Sequence, residues 1–107
     1  MGGDTRRALK YFTLAGNMAA AVYANTEAEA HYGRALEIAQ SMEAGSGAVV
    51  NGEQLKCLYL KRGRSLELTA RYDQALAIYR EMETLARRRN DRAMELAALM
   101  GRAVIRT

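Results

Sequence analysis

The 107-residue chain contains no proline and no tryptophan, and only one cysteine and one phenylalanine. Each shortage excludes something. Without proline, no helix interior is broken. A single cysteine, Cys57, allows no intrachain disulfide, so the core alone must hold the fold. With one histidine, His31, there is no His/Cys cluster of metal-ligand spacing. A lone imidazole without an orienting partner is also a poor general base. Glu27, Glu29 and Glu37 form no acid/base pair and read as a solvated helix face. "GSG" at Gly45–Gly47 lacks the Lys-Ser/Thr that completes a phosphate loop. No run of about 18 apolar residues is present, and the N-terminus has no signal-peptide design. The expectation is a cytoplasmic chain without membrane contact, cofactor, metal or enzymatic activity.

What is present favours helices. Half the residues are apolar, mostly Ala, Leu and Met, and with Glu and Arg these are the strong helix formers. The six methionines read as core filler. The net charge of +4 is mild and spread out. The run Arg87–Arg88–Arg89 reads as a helix C-terminus, where cations meet the negative end of the dipole. A nucleic-acid surface would need a continuous basic stripe with interleaved stacking aromatics. Tyr23, Tyr32, Tyr59, Tyr72 and Tyr79 fall mostly at packing positions instead, so no nucleic acid is expected.

Periodicity predicts five helices of roughly 15–20 residues with short, antiparallel connections. The first runs from Thr5 to about Val22, with Leu9, Phe12, Ala15, Ala19 and Val22 inward. Thr26 and Glu29 match a capping box for the second, which ends near Glu43 and buries Ala28, Tyr32, Ala35, Leu36 and Ala39. The third starts near Gly52 and buries Leu55, Leu58, Tyr59, Gly63, Leu66 and Ala70. The fourth turns Ala75, Leu76, Tyr79, Met82 and Leu85 inward. Asp91 caps the fifth, which carries Met94, Ala97, Ala98, Met100, Val104 and Ile105.

The chain also repeats itself. Gly16 and Gly63 stand 47 positions apart, and residues at equal offsets from them agree. An aromatic precedes each by four (Phe12, Tyr59). Alanine follows by twelve (Ala28, Ala75) and tyrosine by sixteen (Tyr32, Tyr79). Gly101 marks a third, partial unit 38 positions after Gly63. Glycine on one helix and alanine on the next permit close approach, and a unit of this kind buries its stripe only by stacking on neighbours.

This pattern, with "RYDQALAIYREM" as a second-helix phrase, resembles the tetratricopeptide repeat. Its spacing departs from the family's usual period of about 34, the terminal proline is missing, and Ala15 and Arg62 stand where the family has leucine. Long Ala- and Arg-rich phrases such as "VYANTEAEAHYGRALEIA" look like the repeats attached to bacterial signalling ATPases and regulators. The resemblance implies an all-α solenoid of antiparallel helix hairpins in one domain. Its parts are repeat 1 at about 5–44, a loop at about 45–52, repeat 2 at about 53–88 and a half repeat at about 91–107. It implies a protein–protein interaction module, a piece of a larger regulatory protein, with a protein or peptide partner in a concave groove. By the family's layout that groove is Lys10, Thr13, Asn17, Cys57, Leu60, Arg64, Glu67, Glu95 and Arg102. The family's carboxylate clamp is broken here, because only Asn17 matches it. The fifth helix lacks its hairpin partner, so Ala97, Met100, Val104 and Ile105 are expected to mediate homo-oligomer formation as the alternative role.

Overall fold

Five α-helices follow one another: α1 Gly2–Ala21, α2 Asn25–Ser46, α3 Gly52–Leu68, α4 Tyr72–Arg89 and α5 Arg92–Arg106. They come from a computed structural model that describes residues 2–46 and 50–106. Residues 47–49 of the expected loop lie outside the described residues. Gly45 is no break: α2 continues through it to Ser46, since one glycine costs a helix only about 1 kcal/mol.

The helix ends follow local chemistry. The Asn51 side chain accepts a hydrogen bond from the Glu53 backbone N–H at 2.7 Å and caps α3. Asp91 accepts from the Met94 N–H at 3.0 Å and caps α5 as expected. The capping box at Thr26 is not formed, because α2 already starts at Asn25. Glu29 is drawn away by Arg62 and Arg71, an attraction across helices that outweighs a local cap.

Two of the turns are copies of each other. Tyr23 and Ala70, again 47 positions apart, both take φ of 61°. The N–H of the next residue then closes on the carbonyl five back: Ala24 on Ala19 at 2.9 Å, Arg71 on Leu66 at 2.8 Å. The α4–α5 turn repeats this with Asn90 at φ 55° and Asp91 on Ala86 at 2.9 Å. This is the left-handed helix stop that usually uses glycine, reached here by tyrosine, alanine and asparagine.

Each helix packs on its predecessor, and α3 also meets α5. The fully buried core includes Ala28, Tyr32, Leu36, Leu55, Leu58, Tyr59, Leu66, Ala75, Met82, Met94 and Ala98. The glycines make room for rings rather than for alanine. A Cβ on Gly16 would lie 2.5 Å from the Tyr32 ring, and one on Gly63 2.5 Å from the Tyr79 ring. Gly101 also abuts Tyr79, its Cβ position 2.8 Å from the ring. The result is an all-α globule of 43 × 34 × 17 Å. Two residues expected inside lie outside: Val22 and Ala70 fall in turns beyond their helix ends.

These contacts and turns set three expectations for stability. Gly63→Ala gains about 1 kcal/mol of helix propensity but forces the Tyr79 ring to move, so a net loss of about 1–2 kcal/mol is expected in urea unfolding. Gly45→Ala, whose Cβ meets nothing within 4 Å, is expected to be neutral or stabilising by a few tenths of a kcal/mol. Ala70→Gly relieves the left-handed conformation and is expected to raise stability by about 0.5–1 kcal/mol, read as a Tm increase.

Candidate functional site

The face shared by α1 and α3 is built around Asn17. Its side-chain oxygen accepts from the Tyr32 hydroxyl at 2.7 Å and from the Lys61 ammonium at 2.9 Å. Lys61 also stands 5.9 Å from the centre of the Tyr32 ring. The Thr13 hydroxyl folds back onto the Leu9 carbonyl at 2.8 Å. Lys10, Cys57 and Arg64 are exposed, and Leu60 packs against the core. Glu67 accepts from the Tyr79 hydroxyl at 2.6 Å and has Arg64 at 4.0 Å.

The last two residues of the expected groove turn elsewhere. Glu95 pairs with Arg87 of α4 at 3.0 Å, and Arg102 bonds to Glu83. Glu83 is only 7% exposed, and a buried carboxylate attracts cations from both sides; Arg87 reaches its other oxygen at 2.6 Å. With Glu95 withdrawn and Glu67 nearly covered, the charges left on the α1/α3 face are the cations of Lys10, Lys61 and Arg64.

Other helix pairs are joined in the same way. Glu29 is not a solvated-face residue. It accepts from Arg62 of α3 at 2.9 Å and lies 3.6 Å from Arg71. The Arg62 guanidinium rests on Gly33, where a Cβ would come within 3.1 Å of it. Arg89 joins Glu43 at 2.7 Å and the Val50 carbonyl at 2.8 Å. The arginine run does form the last turn of α4, but two of its three members also hold other helices.

A cleft of about 770 Å³ opens between α2, α3 and α4, lined by Gln40, Glu43, Tyr59, Glu81, Arg88 and Arg89 among others. Sequence reasoning missed it, because its walls come from three helices and contain no motif. At its floor the Tyr59 hydroxyl accepts from Gln40 at 3.2 Å. Burial raises the pKa of this phenol, with a contribution from Glu81. Burial also raises Tyr32. Tyr79 is pushed up further, first by burial and then by its bond to the Glu67 carboxylate.

His31 is half-buried, 6.1 Å from the Phe12 ring. Among the described residues, no group of three or more His, Cys, Asp or Glu side chains could hold a metal ion. No described helix is long and apolar enough to cross a membrane. Two apolar faces point outward. On α1 these are Tyr11, Leu14 and Met18; on α5 they are Leu96, Leu99, Met100 and Val104. Ala97 and Ile105, expected on the open face of α5, pack against the core instead. Comparison with protein-family models, with curated proteins and with solved structures returns no match.

The tyrosines predict a pH dependence. Their folded pKa values lie above the ordinary phenol value of 10.0, so the unfolded chain releases protons first. Their contribution is complete below pH 10 and is lost as pH rises above it. Far-UV circular dichroism should show unfolding by urea becoming easier above pH 10. Tyr79→Phe should flatten that alkaline decline while lowering stability at neutral pH by about 1 kcal/mol.

Proposed function

We propose that this chain is a protein–protein interaction module of tetratricopeptide-like stacked hairpins, and that the α1/α3 face receives an extended acidic segment of a partner protein. The observation that carries the proposal is the charge left on that face. Its acids are engaged within the molecule, while Lys10, Lys61 and Arg64 remain exposed. Asn17 keeps its amide N–H₂ for a partner, because the contacts it makes use the carbonyl oxygen. The repeated hairpin supports the superhelix reading. The same turn and the same Gly–Tyr contact recur at a 47-residue shift, as stacked units require. Extended peptides bind such faces through backbone-directed polar groups and a few charges.

The test is fluorescence polarisation with a labelled Asp/Glu-rich peptide and its Asn/Gln counterpart. The acidic peptide should bind, weaken with added salt, and lose about tenfold in affinity, or about 1.4 kcal/mol, in Lys61→Glu/Arg64→Glu. Equal binding of both peptides, or indifference to the double variant, would refute the groove reading.

A further inference from the structure

The cleft over Tyr59 shares no residue with the α1/α3 face. Its walls, α2 and α4, both pack on α3, and the Glu43–Arg89 bond spans the gap between them. The opening of about 770 Å³ falls within the size range of small-molecule sites. Glu81, Thr84, Leu85 and Arg88 line it from α4. Their spacing puts all four in one stripe along two helical turns.

The two ends of this stripe carry opposite charges. Glu43 is matched by Arg89, and Glu83 by Arg87 and Arg102. The exposed Glu81 and Arg88 side chains have no ion-pair partner among the described residues. They stand two turns apart, about 10 Å along the axis, and so cannot pair as helix neighbours three or four positions apart do. Between them lies Tyr59, only 1% exposed. Its hydroxyl accepts from the Gln40 amide at 3.2 Å, which leaves the phenol proton to be donated and the Gln40 carbonyl oxygen to accept. Burial raises the Tyr59 pKa most, Glu81 adds to the rise and Arg88 opposes it, so both charges act over the same floor.

We propose that this cleft binds a small zwitterion whose ammonium and carboxylate stand about 10 Å apart, the ammonium on Glu81 and the carboxylate on Arg88. That chemistry is shared by a free tripeptide, which spans about 10 Å when extended, and by a long ω-amino acid. The polar floor of Gln40 and Tyr59 suits a ligand with an amide in its middle, and the half-buried Leu85 a small apolar group beside it. This site is independent of the α1/α3 face, whose ligand is acidic throughout rather than charged at both ends.

The probes are trialanine, its N-acetyl and C-amide forms, and ω-aminooctanoate, titrated at low salt and followed by the amide shifts of the protein in ¹⁵N–¹H NMR. Trialanine should bind with a dissociation constant on the order of 0.1–1 mM and shift the amides around Gln40, Thr84 and Arg88. Capping either end should weaken it by about three- to tenfold. Glu81→Gln should weaken trialanine by the same factor yet leave the N-acetyl form unchanged, and Arg88→Gln should do so while leaving the C-amide form unchanged. Tighter binding of trialanine than of ω-aminooctanoate assigns the site to peptides, and the reverse order assigns it to ω-amino acids. No shift up to about 20 mM of either zwitterion would overturn the proposal. So would equal binding of capped and uncapped peptide, losses in the two variants that ignore the caps, or shifts confined to the α1/α3 face.

Discussion

The ring of Tyr79 between two glycines is the contact on which the arrangement of α3, α4 and α5 depends. Gly63 on α3 and Gly101 on α5 both give up a side chain to it, so one phenol fixes two helix approaches at once. Gly16 does the same for Tyr32 across α1 and α2. A tyrosine can serve here because its hydroxyl has somewhere to go: Asn17 takes that of Tyr32 and Glu67 that of Tyr79. Without those acceptors, burying two hydroxyls would cost about 1–3 kcal/mol each. The chain therefore places its polar satisfaction on the α1/α3 face as a consequence of its packing, and this removes Glu67 from the pool of free charges there.

The second constraint is ionic. Glu29, Glu43 and Glu83 each bond an arginine on another helix or beyond. Half-buried pairs of this kind contribute less to net stability than their distances suggest, because desolvation opposes them. Their effect is on register: each fixes how far one helix slides along the next. They also decide which charges a partner meets. The α1/α3 face is cationic because Glu67 is held by the Tyr79 hydroxyl and Glu95 by Arg87, while Lys10, Lys61 and Arg64 stay exposed.

Most of the helical layout was legible in the sequence. Absent proline, the 3- and 4-residue apolar spacing and the cap at Asp91 led to five helices, and the 47-residue echo pointed to Gly16, Gly63, Tyr32 and Tyr79 as packing positions. The misses have physical causes. Tyr23 and Ala70 carry no signal for a left-handed turn, so Val22 and Ala70 were assigned to the core. Thr26 and Glu29 formed a good local pattern that a distant arginine overrode. Of the expected groove, Asn17, Lys10 and Arg64 stand on the α1/α3 face, but pairing across helices took Glu95 and Arg102, which spacing along one helix cannot reveal. The α2/α4 cleft had no motif at all.

The central claim is that glycine and tyrosine are coupled, each required by the other. A double-mutant cycle on Gly63→Ala and Tyr79→Leu measures this directly. If the ring is what the glycine accommodates, the alanine should be destabilising beside tyrosine and neutral or favourable beside leucine, with a coupling energy of about 1–2 kcal/mol. Additive effects of the two substitutions would contradict the account.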